Sequence, residues 1–298
     1  MHSYLRAVGF SDIKSKKELK KLLNLIVTDP DNREYVEVED NLALVEYYKC
    51  FTPTTGVCLR GEYDKEEELT LDFYYPICIG DKVSTEEDVN IERHAAELSY
   101  AGVCEDSRVG VTLIFYMQNG LELVRRNTDQ DFPFSGTTVT FAALSTQGII
   151  MLPIKKDEKE KEMIKKAVED RNEKINAARM GDEEAIESLT LEDIDTYNVI
   201  SRQILKEDVF SLVDTYLMPY GVECDQYSIL AEIEDVTLEV NSITGEEIYI
   251  LDINYNSMPM KICINKKDLL GEPLAGRRFR GVILLQGHVN FDSDSQGE

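Results

Sequence analysis

Three arginines, Arg277, Arg278 and Arg280, stand almost side by side in the glycine-flanked stretch GEPLAGRRFRG (271–281). Guanidinium groups are planar forks that capture a phosphate or carboxylate through paired hydrogen bonds, and glycines let a ligand come close to the backbone. With Lys261, Lys266 and Lys267, they are the only basic residues of segment 207–298, which also holds seventeen Asp and Glu. Two chemistries fit. In one, Arg277, Arg278, Arg280, Lys266 and Lys267 form an anion-binding site for a small molecule or an acidic protein segment. In the other, the island neutralises its own surroundings. Arg278 and Arg280 alternate with Phe279, share one strand face, and pair with acids such as Glu232, Glu234 or Asp252 on neighbouring strands. Compensation carries the greater weight, because structural ion pairs imitate functional sites in acidic chains.

Other chemistries lack their residues. No Gly-x-Ser-x-Gly elbow, phosphate-binding GxxxxGK[ST] loop or GxGxxG turn occurs. His2, His94 and His288 lie far apart. His94 and Glu97 make an H-x-x-E pair, but a metal needs three or four ligands. The segment DPDNREYVEVED (29–40) resembles a calcium loop, yet Glu34 sits where such a loop needs glycine. The six cysteines, Cys50, Cys58, Cys78, Cys104, Cys224 and Cys263, show no Cys-x-x-Cys spacing and read as reduced thiols. No metal or cofactor is therefore expected, and no catalytic residue can be named. The first functional expectation is a non-catalytic binding or interaction module with a basic patch in its C-terminal part. The alternative is an enzyme acting on a phosphate- or carboxylate-bearing small molecule.

The chain has 57 Asp and Glu against 32 Lys and Arg, a net charge of −25. Such a surface repels phosphate backbones and anionic lipid headgroups, so neither nucleic acid nor membrane is expected as a partner. No apolar run approaches a membrane span, and the N-terminus lacks a secretory apolar core. A cytoplasmic location follows as an expectation. The pattern is silent on oligomeric state.

The elements that must position the arginines read as α+β. Segment 1–154 is an N-terminal α+β domain: a helix over 11–27 capped by Ser11, then strands over 35–39, 42–51, 56–63, 68–77 and 110–118. A hairpin follows, with arms at 137–145 and 148–154 joined by a Thr-Gln turn. Residues 91–105 suit helix or strand. Segment 155–206 is helical and packs between domains, with Gly181 as a helix stop and Thr190–Asp193 as a capping box opening a new helix. Segment 207–298 is a β-rich domain, a small barrel or curled antiparallel sheet, with strands at 227–240, 246–255, 260–265 and 278–291.

Four stretches carry a family resemblance: MHSYLRAVGFSDI, GDEEAIESLTLEDIDTY, DTYLMPYGVECDQY and INKKDLLGEPLAGRRFRGVILLQG. Together they resemble a family of uncharacterised proteins of similar length from anaerobic Firmicutes, notably gut clostridia, catalogued as a domain of unknown function. The resemblance covers nearly the whole chain, and the C-terminal block is its most distinctive part. It implies a bacterial cytoplasmic protein and transfers no activity, cofactor or catalytic residue.

Overall fold

The N-terminal residues fold inward because they are apolar and short. A 3-10 turn, His2–Val8, buries Tyr4, Leu5, Ala7 and Val8. Helix α1 (Lys16–Thr28) follows. Its cap is Ser15 rather than the expected Ser11. Glu18, three residues on, completes a capping box: the Ser15 hydroxyl accepts from the Glu18 N–H (3.2 Å), and the Glu18 carboxylate accepts from the Ser15 N–H (3.0 Å). The computed structural model describes residues 2–39, 42–64, 66, 68–93, 99–126, 133–134, 137–153, 158–203 and 213–291. The His94–Glu97 pair falls outside them.

Strands β1 (Asn32–Glu39), β2 (Leu42–Cys50), β3 (Thr55–Tyr63) and β4 (Leu69–Cys78) form an antiparallel meander in that order. Strand alternation gives the meander two apolar faces. Val45, Tyr47, Val57 and Leu59 pack on Leu22 and Ile26 of α1 and on the N-terminal turn. On the opposite face, Cys58, Tyr75 and Ile77 pack on Tyr116 of β7 (Leu113–Met117). Before β7 come β5 (Val89–Arg93) and β6 (Tyr100–Cys104), so the described parts of segment 91–105 are strand. After it come α2 (Gly120–Arg125), β8 (Pro133–Phe134) and β9 (Thr138–Met151).

The expected hairpin at 137–154 is instead the single long strand β9. Gly148 permits this, because a side chain there would stand 2.3 Å from the Phe279 ring, and Phe279 belongs to the strand paired alongside. Two helices follow, α3 (Glu158–Arg179) and α4 (Glu183–Gln203), separated at Gly181, which adopts a positive φ of 89°. Thr190 opens no helix. It lies inside α4 and donates its hydroxyl to the Ile186 carbonyl (2.8 Å), while Asp182 accepts from the Glu184 and Ala185 N–H groups at the real start.

The remaining strands are β10 (Tyr216–Pro219), β11 (Gln226–Val240), β12 (Glu247–Tyr255), β13 (Met258–Asn265), β14 (Leu269–Leu270) and β15 (Arg278–Asn290). The order β11-β12-β13-β9-β15 closes into a barrel, because the first half of β11 pairs with β15 and its second half with β12 across a bulge at Ile233–Asp235. β9 enters parallel to β13 and antiparallel to β15. Strand pairing thus crosses the boundary expected at residue 154. From β15 the sheet continues as an open extension through β7, β6, β5 and β8.

Two buried glutamines join the meander to the barrel. Gln286 of β15 donates to the Pro76 carbonyl (2.9 Å) and accepts from the Cys78 N–H (3.2 Å). Gln118 donates to the Cys78 carbonyl (2.8 Å) and to the Gln286 side-chain oxygen (3.2 Å). A buried polar group left without its partner costs about 1–3 kcal/mol. Gln286→Leu strands several at once and is expected to lower unfolding stability by about 3 kcal/mol, read by chemical denaturation.

Candidate functional site

The six C-terminal cations divide between two places. Lys261 lies opposite Asp252 across the β12–β13 ladder and bridges Asp252 (2.5 Å) and Asp81 (3.0 Å). Lys266 reaches Glu247 (2.8 Å), and Lys267 reaches Glu246 (2.8 Å) and the Ser11 hydroxyl (3.2 Å). Within this first group, Lys267 ties the barrel to the N-terminal segment through Ser11, and Lys261 ties it to Asp81. Glu246 is its hub: it also accepts from the Ser11 hydroxyl (2.5 Å) and the Asn265 amide (2.6 Å). Arg6 makes a two-pronged pair with Asp268 beside it.

The three arginines make the second group. Arg277 donates to the Glu272 carbonyl (2.6 Å), with the Glu272 carboxylate 3.8 Å away. Arg278 is buried, opposite Glu232 in the ladder, and donates to the carbonyls of Leu152 (3.2 Å) and Val213 (3.0 Å). Burial lowers its pKa, offset by Asp214 and Glu232. Arg280 donates to the Tyr216 hydroxyl (3.4 Å). Lys266 and Lys267 thus engage Glu247, Glu246 and Ser11, while the arginines engage Glu272, Leu152, Val213 and Tyr216.

A buried cation that the motif search passed over lies between the meander and β7. Arg60 faces Glu46 across the β2–β3 ladder, and its Nε donates to that carboxylate (2.5 Å). Its guanidinium lies 5.7 and 5.6 Å from the ring centroids of Phe73 and Tyr75. Gly120 makes room, since a side chain there would come 3.0 Å from the guanidinium. The only sequence signal was an arginine inside a run of alternating strand residues. Burial, together with the charge of Glu46, pushes the Cys58 thiol well above its ordinary pKa, and burial does the same to the Tyr75 phenol. Both therefore stay protonated, which is the wrong state for a nucleophile. The cleft beside Arg60, lined also by Leu44, Tyr100 and Leu121, has room for about one water molecule.

Asp106 and Arg108 form a third knot. The Asp106 carboxylate is buried and accepts from the backbone N–H (2.9 Å) and guanidinium of Arg108, which also donates to the carbonyls of Ser84 (2.7 Å) and Ser257 (2.8 Å). Burial pulls the Asp106 pKa upward, but hydrogen bonds from Arg108 and Thr85 outweigh it and hold the carboxyl below its usual range. Glu246 is likewise lowered: burial opposes the shift, and Lys267, Ser11 and Asn265 produce it.

One strand edge makes no ladder among the described residues, with α2 beside the strand through the Arg125–Glu34 ion pair (2.8 Å). β1 is the edge strand of the meander, and among the described residues its ladder runs to β2 alone. Tyr35 is 62% exposed and Val38 is 42% exposed. An exposed strand edge offers a row of N–H and C=O groups to an incoming extended segment.

Residues 5–287 match the family model DUF3881, a domain of unknown function described from an E. rectale gene, and the chain belongs to that family. No curated protein and no solved structure matches the chain.

The lowered carboxylates set an acid limit. A group whose folded pKa is depressed adds stability above its unfolded pKa, and that stability is lost as pH falls through the folded value. Unfolding free energy is expected to hold near neutrality and to drop below about pH 4. Asp106→Asn takes the charged partner from the half-buried Arg108 guanidinium, so it is expected to cost about 2 kcal/mol at neutral pH and to make the acid drop shallower. Denaturant titration across pH reads both effects.

Proposed function

We propose that this protein is a non-catalytic interaction module that recognises an extended protein segment by strand addition at the outer edge of β1. The observation that carries this reading is the open edge itself, an eight-residue strand with Tyr35 and Val38 exposed along it. Main-chain hydrogen bonds along such an edge supply affinity, and alternate side chains supply specificity.

Burial raises the pKa of the Cys58 thiol and the Tyr75 phenol beside Arg60 well above the ordinary values, and the clefts beside Arg60 and Lys261 each have room for about one water. Lys266, Lys267, Arg277, Arg278 and Arg280 each engage groups of their own chain. These features weigh against an enzyme gripping an anion and against a basic patch as the recognition surface. All six cysteines are free thiols, which supports the reducing cytosol as the compartment.

A display library of random octapeptides, selected on the full chain, tests this reading. Adjacent strand residues aim their N–H groups at opposite edges, so Tyr35→Pro and Val36→Pro are compared. The variant that keeps the wild-type melting temperature is the one that reports on the outer edge. Enriched peptides are expected to lose about tenfold or more in affinity on that variant and to bind Arg277→Ala/Arg280→Ala as they bind wild type. Peptides indifferent to β1 but lost with the arginines would refute the edge and restore the anion site.

A further inference from the structure

We infer that the segment received by β1 is β1 of a second copy of this chain, paired antiparallel about a two-fold axis at Tyr35. This rests on the reading of β1 as the recognition strand and names its partner. The strand NREYVEVE is complementary to its own reverse. With Tyr35 opposite Tyr35 of the second copy, Arg33 falls opposite Glu37 of the second copy, and Glu37 opposite its Arg33. Glu34 then meets Val36, and within Asn32–Val38 no carboxylate faces another directly; only Glu39 at the strand's end comes opposite Asp31, just before the second copy's strand. Moving the axis to Glu34 sets two glutamates face to face, which cross-strand pairing disfavours. Moving it to Val36 brings Arg33 against Glu39, across the irregularity between Glu37 and Glu39.

The side chains on that face are prepared for this. The Arg33 guanidinium rests 5.5 and 5.4 Å from the ring centroids of Tyr47 and Tyr63 and donates to the Tyr63 hydroxyl (3.3 Å). Stacking fixes its plane and leaves N–H groups at its rim for a carboxylate. Among the described residues, neither Arg33 nor Glu37 is recorded with an oppositely charged partner, although the chain is rich in acids. A two-fold interface uses every pair twice, so one complementary pair in the sequence becomes two in the dimer. Two meanders would then join edge to edge into one continuous sheet.

Sedimentation equilibrium of the full chain over a concentration series tests this, with melting curves confirming that each variant is folded. Wild type is expected to dimerise. Arg33→Glu and Glu37→Arg each set like charges opposite one another twice, and each is expected to weaken the dimer about tenfold or more. The double variant Arg33→Glu/Glu37→Arg restores opposite charges and is expected to regain the dimer. Monomeric wild type would overturn the inference, as would a dimer indifferent to both single changes, or one that the double change fails to restore. Octapeptides that still bind the β1 edge of a monomeric wild type would leave the module reading standing while this inference falls.

Discussion

Cations are the scarce component of this molecule, 32 against 57 carboxylates, and much of the fold is organised by where they are placed. Arg6 binds Asp268, Lys267 binds Glu246, and Lys261 joins Asp81 to Asp252. Arg108 holds Asp106 while reaching Ser84 and Ser257. Arg6–Asp268 and Lys261–Asp81 join segments far apart in sequence, whereas Lys261–Asp252 and Lys267–Glu246 join neighbouring parts of the barrel. Exposed pairs of this kind contribute little individually. Their larger effect is on register: a misplaced strand would leave carboxylates facing one another in a chain that already repels itself. The buried pairs carry more consequence, since losing one partner strands a desolvated charge.

The same scarcity bears on function. The arginines that suggest an anion site have local duties: Arg278 closes the ends of β9 and the approach to β10 through the Leu152 and Val213 carbonyls, and Arg277 pins the turn before β15. The meander and the barrel are locked by Gln118 and Gln286, and the cleft beside Arg60 is small. Among the described residues, the edge of β1 pairs with β2 alone and has a stacked arginine and exposed apolar residues beside it.

Much of this architecture was legible in the residues. Alternation marked most of the strands, the helical middle followed from its periodicity, and Gly181 marked the break between α3 and α4. The misses have particular causes. Ser11 resembled a helix cap, but Ser15 has the glutamate three residues on, and Ser11 was claimed by Glu246 from the other end of the chain. Thr190 and Asp193 had capping spacing without a break in the helix before them. Thr146 and Gln147 resembled a turn, but the strand runs straight through them, and Gly148 makes room for the Phe279 ring, a contact that pairing with β15 creates. Lys261, Lys266 and Lys267 were visible as an island, yet their partners Asp81, Asp252, Glu246 and Glu247 come from other strands and loops. Arg60 carried no motif at all. The openness of β1 is a property of sheet order, which no local pattern encodes.

The central claim is that recognition runs along the outer edge of β1 and that a second copy of the chain supplies the partner strand. Amide hydrogen exchange of the full chain, followed residue by residue at low and high protein concentration, tests it most directly. The account predicts that protection rises with concentration at alternate amides within Asn32–Val38 and stays constant in the barrel, whose ladders are internal. Unchanged exchange along β1, or concentration-dependent protection at Arg277–Arg280 instead, would contradict it.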